Sequence, residues 1–177
     1  MNIQIPLQNH FVKLEPLMES DFEKLFAVAC DPLIWEQHPN KDRYKREVFE
    51  VFFKGAIESK GAYIIYDAKT NEVIGSSRYY DLNTEKSSIT IGYTFFARSH
   101  WGGTYNRAAK EAMILHAFEH VNEVNFHIGA VNIRSQKAIE KLGTLKIGEI
   151  EMEYYGETSK LNFIYAITKL NWQNQNR

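Results

Sequence analysis

Arg98-Ser-His-Trp-Gly-Gly-Thr-Tyr-Asn106 lies between a strand-like run at Ser88–Phe96 and an alanine-rich run at helical spacing. The helical run passes through Ala108, Ala109, Ala112, Met113, Leu115, Ala117 and Phe118. A strand that enters a helix through a glycine-containing loop makes an anion site. The N–H groups of the first helical turn have no partner inside the helix, and the helix dipole places about half a positive charge there. Gly102 and Gly103 carry no Cβ, so main chain at this point can come close to a ligand. A Gly-Gly pair before a helix is equally what a plain tight turn looks like. Two phosphate motifs are absent: there is no Gly-Lys-Ser/Thr, and no Gly-x-Gly-x-x-Gly with a later ribose-binding acid.

Moving downstream, Val124–Gly129 reads as a strand and Asn132–Leu142 as a helix. Asn132 is placed to cap that helix, Gly143 to end it, and Ala138, Ile139 and Leu142 form its apolar stripe. Ser135 falls on the first turn, where its hydroxyl can reach out of the helix end. Two final strands, roughly Leu145–Tyr154 and Leu161–Leu170, are expected to meet at a turn at Gly156. Upstream, Phe11–Glu15 alternates in period two. Ser20 and Glu23 have capping-box spacing ahead of Phe22, Leu25, Phe26 and Ala29. A second amphipathic helix spans about Glu47–Ser59, and strands at Ala62–Asp67 and Glu72–Tyr80 flank the turn Lys69-Thr70-Asn71. The order β-α-α-β-β-β-α-β-α-β-β predicts an α/β fold. Its mixed sheet is antiparallel early and parallel across the Ala108–Phe118 helix.

Composition narrows the function. The 177 residues suit one domain, with a core from about 11 to 170, and no linker or repeat divides them. Twenty-one basic and 22 acidic residues are well mixed, for a net charge of −1, so no stripe points to nucleic acid or an anionic membrane. Cys30, the sole cysteine, allows no internal disulfide and reads as a buried small hydrophobe. No apolar run approaches the ~18 residues of a membrane span, and a cytoplasmic protein is expected. The Trp172–Arg177 tail reads as frayed.

Three stretches together resemble the GNAT acetyltransferases, and within them the ribosomal-protein-alanine N-acetyltransferase branch. They are Ile91-Gly-Tyr93, Trp101-Gly-Gly-Thr-Tyr-Asn106 with its helix, and Asn132-x-x-Ser135 running to Lys141-Leu-Gly143. The resemblance implies a GNAT fold of about seven strands and four helices. It also implies a single acetyl-CoA-dependent N-acyltransferase domain over 1–177, acting on a primary amine of a protein N-terminus or a small molecule.

The family loop, Gln/Arg-x-x-Gly-x-Gly/Ala, holds the cofactor pyrophosphate on backbone N–H groups. It maps onto Trp101, Gly102, Gly103, Thr104, Tyr105 and Asn106. Thr104 and Asn106 depart from that pattern, and a frame shifted by one would put Gly103 on the key glycine. The pantetheine arm is then expected beside Tyr93–Ala97, where this strand splays from Val124–Gly129, and Phe95, Phe96, Ala97 and Arg98 are counted among the cofactor-binding residues. Asn132 is expected to bond the pantetheine. Many relatives place a tyrosine where this chain has Ile139, leaving Ser135 as the hydroxyl expected near the sulfur, so Ser135 and Asn132 are the catalytic candidates.

An ammonium acceptor must lose a proton before it attacks. His100, His127, Asp81 and Tyr80 are the candidate bases, and the residues alone do not choose among them. Trp35, His38, Arg78 and Tyr80 are expected to line the acceptor pocket, with Arg78 able to grip a carboxylate in bidentate fashion. No metal is expected, a homodimer is an open option, and a catalytically silent acyl-CoA-binding module is the alternative to an enzyme.

Overall fold

The computed structural model describes residues 3–153 and 158–175. A single eight-stranded sheet runs in the order β1-β2-β3-β4-β5-β6-β8-β7. Its strands are β1 (Leu7–Gln8), β2 (Val12–Pro16), β3 (Ala62–Asp67), β4 (Val73–Asn83), β5 (Ser88–Phe96), β6 (Glu123–Gly129), β7 (Leu145–Met152) and β8 (Lys160–Thr168). All neighbours are antiparallel except β5 and β6, which are parallel across helix α3 (Thr104–Ala117). The remaining helices are α1 (Phe22–Ala29), α2 (Arg46–Glu58), α4 (Ile133–Glu140) and α5 (Lys169–Gln175).

Both faces of the sheet are covered at its centre, and β3 records this directly. Ala62 and Ile64 pack with Phe49, Phe52, Phe53 and Trp35 of the α1/α2 side. Tyr63 and Ile65 point the other way, into the cluster of Ala109, Met113, Ile114 and Phe126. The two-residue period of a strand therefore yields a continuous buried run instead of an alternating one.

Three expectations need correction. The first helix is not capped by Ser20 and Glu23: it enters through a 3₁₀ turn at Glu19–Asp21, where Asp21 accepts from the Met18 N–H at 3.1 Å. Glu23 instead pairs with Arg46 across to α2. Cys30 is exposed, because α1 ends at Ala29 and the chain turns outward there. The tail is not frayed as far as it is described: α5 follows β8, and Trp172 is buried against Phe118. A short β1 adds an eighth strand on the edge of β2. The expected strand end at Tyr154 and the turn at Gly156 lie outside the described residues. No described helix is long and apolar enough to cross a membrane.

Candidate active site

The parallel pair β5/β6 is zipped over only three positions, Ser88–Thr90 against Glu123–Asn125. Beyond Thr90 the strands part, while β6 stays paired to β8 as far as Gly129. On its other side β5 carries a bulge. Ser76 opposes Phe95 and Arg78 opposes Gly92, so Ser77 faces both Tyr93 and Thr94, and Tyr93 takes φ +53°. The result is a wedge of open sheet with unpaired backbone on the β6-facing edge of β5. A cleft of about 450 Å³ fills it.

The N-termini of α3 and α4 both open onto this cleft. Gly102 takes φ +70° and Gly103 is the N-cap of α3, with no side chain capping that end. Nothing lies within 4 Å of where a Gly102 Cβ would stand, so the glycine is required there by backbone conformation rather than by crowding. Gly102 supplies the left-handed turn, and Thr104 starts the helix. Asn106, on the first turn of α3, lines the cleft with a buried Oδ1 that has no hydrogen-bond partner among the described residues. Asn132 caps α4, its side chain accepting from the Ser135 N–H at 3.1 Å.

The lining contains Arg107, Lys110, Arg134, Lys137, Lys141 and three histidines, and, among the described residues, no aspartate or glutamate. Two of these cations are paired just outside the lining, Arg107 with Glu111 at 2.7 Å and Arg134 with Glu36 at 3.4 Å. Arg134 straps α4 across the cleft, its guanidinium 3.9 Å from the Trp101 ring centroid and bonded to Ile34 O at 3.1 Å. The Trp101 indole N–H donates to Phe96 O at 2.9 Å.

Of the residues expected to hold cofactor, Phe95, Phe96, Trp101, Gly102, Gly103, Asn106, Asn132 and Ser135 lie on this lining. Ala97, Arg98, Thr104 and Tyr105 do not. Arg98 pairs outward with Asp31 at 2.5 Å, and the Tyr105 hydroxyl donates to Asp67 at 2.6 Å. Hydrogen bonds from Tyr105 and two backbone N–H groups hold the Asp67 carboxyl down at about 2. His100 lines the cleft and packs edge-on against Tyr105, its Nε2 3.6 Å from Asp67.

Among the expected acceptor contacts, Trp35, His38 and Tyr80 line the cleft and Arg78 does not. Trp35 is fixed by donating to Ala29 O at 2.7 Å. His38 is half-buried, and loss of solvent around the ring, with the Arg43 charge beside it, holds its imidazole well below the usual histidine range. Arg78 is buried under α2, donating to Gly55 O at 3.1 Å and Phe52 O at 3.3 Å while stacking on Tyr93. Those carbonyls take up the fork expected to grip a carboxylate. Tyr80 and His127 meet at 3.1 Å, Oη to Nδ1. Burial lowers the His127 imidazole from its ordinary value, against a smaller opposing pull from Asp81.

Sequence reasoning missed Lys110. Its side chain is 4 % exposed, lines the cleft and is hydrogen-bonded to Thr94. The available signal was its position on the buried stripe of α3, beside Ala109, Met113 and Ile114.

Acetyl-CoA, the cofactor the resemblance implies, suits these residues. An uncapped helix N-terminus behind a left-handed glycine accepts a pyrophosphate, the orphan Asn106 Oδ1 awaits a donor, and unpaired β5 backbone can hold an amide-bearing arm. When bound it supplies the activated acetyl group.

Residues 12–145 match the family model "Acetyltransferase (GNAT) domain". Among solved structures, a GCN5-related N-acetyltransferase from Brucella melitensis superimposes with a TM-score of 0.83 at 16% identity, over 96% of this chain and 81% of that one. Mycobacterium smegmatis RimJ in complex with CoA-disulfide gives 0.70 at 17% identity, over 93% and 86%. Spermidine N-acetyltransferase from Vibrio cholerae, in complex with CoA and spermine, gives 0.70 at 15% identity, over 94% and 100%. No curated protein matches in sequence. The structural neighbours share the fold, while the family model spans most of the chain. The chain belongs to the GNAT family and is an acetyl-CoA-dependent N-acetyltransferase.

Proposed function

We propose that the acceptor is a primary amine of modest charge, such as a peptide N-terminus or a small monoamine, rather than a polyamine. The observation that carries this is the missing carboxylate. A polycation of the kind the Vibrio cholerae enzyme acts on needs anionic partners, and the lining, among the described residues, offers cations, aromatic and aliphatic side chains and neutral polar groups but no carboxylate. In this reading Gly102, Gly103 and the first turn of α3 hold the pyrophosphate. Asn132 and Ser135 hold the pantetheine arm. The amine enters past Trp35, His38 and Tyr80. With Nδ1–H donated to Tyr80, His127 keeps Nε2 free to take the ammonium proton, and its lowered proton affinity keeps it in the neutral form at pH 7.

Thiol release from acetyl-CoA, measured with alanine- and serine-initiated peptides, amino-acid amides and spermidine, tests the reading. Turnover with the peptides or amides should exceed turnover with spermidine. A clear preference for spermidine overturns it.

A further inference from the structure

Lys110 is built into the cleft in a way that packing does not explain. The long stem of a lysine normally lets its charge snorkel to water. Here the amine turns inward, donating to Thr94 Oγ1, which in turn meets Ser77 Oγ at 2.8 Å. Its Nζ stands 5.7 Å from the centroid of the Phe126 ring, in the wedge between β5 and β6. Among the described residues it forms no ion pair, although an ammonium removed from water ordinarily requires one. Methionine would fill the same space on this stripe without that cost. The residue therefore points to a ligand.

Resting on the reading of this cleft as the acetyl-CoA site, we propose that Lys110 is a catalytic residue whose Nζ–H faces the acyl-thioester end of the cofactor and protonates the departing sulfur. The balance is simple. The acceptor nitrogen forms the C–N bond to the acetyl carbon, the C–S bond breaks, and its electron pair stays on sulfur. One N–H bond of Lys110 breaks as the S–H bond forms. The acceptor releases its own proton to a separate base, and Lys110 recovers a proton from solvent after the thiol departs.

The electrostatics suit this cycle. Burial pushes the amine down to about 7, with no neighbouring charge contributing. Thr94, Ser77 and Phe126 surround it, and the other titratable groups on the lining include His127 from β6 and Lys137 and Lys141 from α4. None of these is an anion, so the free enzyme holds the proton loosely. A ligand rich in acceptors and phosphate charge favours the ammonium, so binding should draw a proton in.

Calorimetry of acetyl-CoA binding at pH 8, in two buffers of different ionisation enthalpy, counts that proton. The full-length protein should take up a substantial fraction of one. Lys110→Met should take up none, bind acetyl-CoA within about tenfold of the parent, and lose about a hundredfold in kcat, the scale of general acid–base catalysis. Lys110→Arg should restore the charge but not kcat, since a guanidinium does not give up its proton. Unchanged kcat in Lys110→Met overturns the proposal. Should that variant not fold, the unmodified protein still decides: zero proton uptake on binding overturns it. If the unmodified protein binds no acetyl-CoA, the cofactor reading fails first and takes this one with it.

Discussion

Helices α3 and α4 end on the same cleft, and they end differently. The α4 N-terminus is closed by its own chain, Asn132 accepting from Ser135 N–H. The α3 N-terminus is left open, with Gly103 in extended backbone at φ −112° and no side-chain cap. Leaving this end to a glycine costs the fold little, because glycine at an N-cap is only about a few tenths of a kcal/mol worse than a capping side chain. What the open end gains is a set of outward N–H groups and an uncompensated dipole beside the pocket. One end is closed by its own side chain, and the other leaves its N–H groups facing the cleft.

Closing α3 is the strongest way to break that contrast. Gly103 has extended backbone that any residue adopts, and its nearest neighbour to an added Cβ, Trp101 O, is 4.0 Å away. Gly103→Asp therefore fits, caps α3 and places negative charge on the anion site. The melting temperature should hold or rise while CoA affinity, read by calorimetry, falls at least about a hundredfold (about 2.7 kcal/mol). Affinity within threefold of the parent would mean that the open end of α3 binds nothing. Gly102→Val acts through both terms. At φ +70° a β-branched residue is strained by about 1–2 kcal/mol. Thermal unfolding should register that loss together with CoA binding weakened about tenfold, a smaller and less selective effect than at Gly103.

The contrast between the two ends was only half visible in the sequence. Asn132 announces itself as a cap, because residue type and local spacing suffice. Gly102 and Gly103 announce a turn, but only the folded backbone separates their roles, left-handed turn and empty cap. Strands Ala62–Asp67 and Ser88–Phe96 were legible to the residue, since β-branched and aromatic runs bounded by turn residues leave few alternatives. What failed was long-range. Arg78 looked like a carboxylate grip because its true partners, Phe52 O and Gly55 O, lie more than twenty residues upstream on another element. Trp172 looked like tail because the Phe118 it packs against is more than fifty residues earlier in the chain. Lys110 was hidden by ordinariness: lysine in a helix is unremarked until its register is set against the buried stripe.

Opening α4 sharpens the comparison from the other side. Asn132→Ala removes a cap already in use, so it should lower stability by about 1 kcal/mol, a shift of a few degrees in melting temperature. If Asn132 also bonds the pantetheine, CoA affinity should fall severalfold beyond what the loss of folded fraction explains. Asn132→Ser keeps a capping oxygen and should recover the stability but not the affinity. Recovery of both would leave Asn132 with a structural role alone.

Ser135→Ala carries the smallest expected effect and discriminates best between the two candidate proton donors, Ser135 and Lys110. The Ser135 backbone N–H is held by Asn132, but its hydroxyl makes no hydrogen bond among the described residues, so its removal should leave melting temperature and CoA affinity unchanged. Any loss must then appear in kcat, the signature of a contact made only in the transition state. With Lys110 supplying the proton, that loss should stay below about tenfold, since a hydroxyl beside the sulfur adds only a hydrogen bond to a group already being neutralised. A drop of about a hundredfold or more would match general acid catalysis by the hydroxyl itself. It would transfer the proton from the buried stripe of α3 to the first turn of α4, making the capped helix, not the open one, the catalytic side of the cleft.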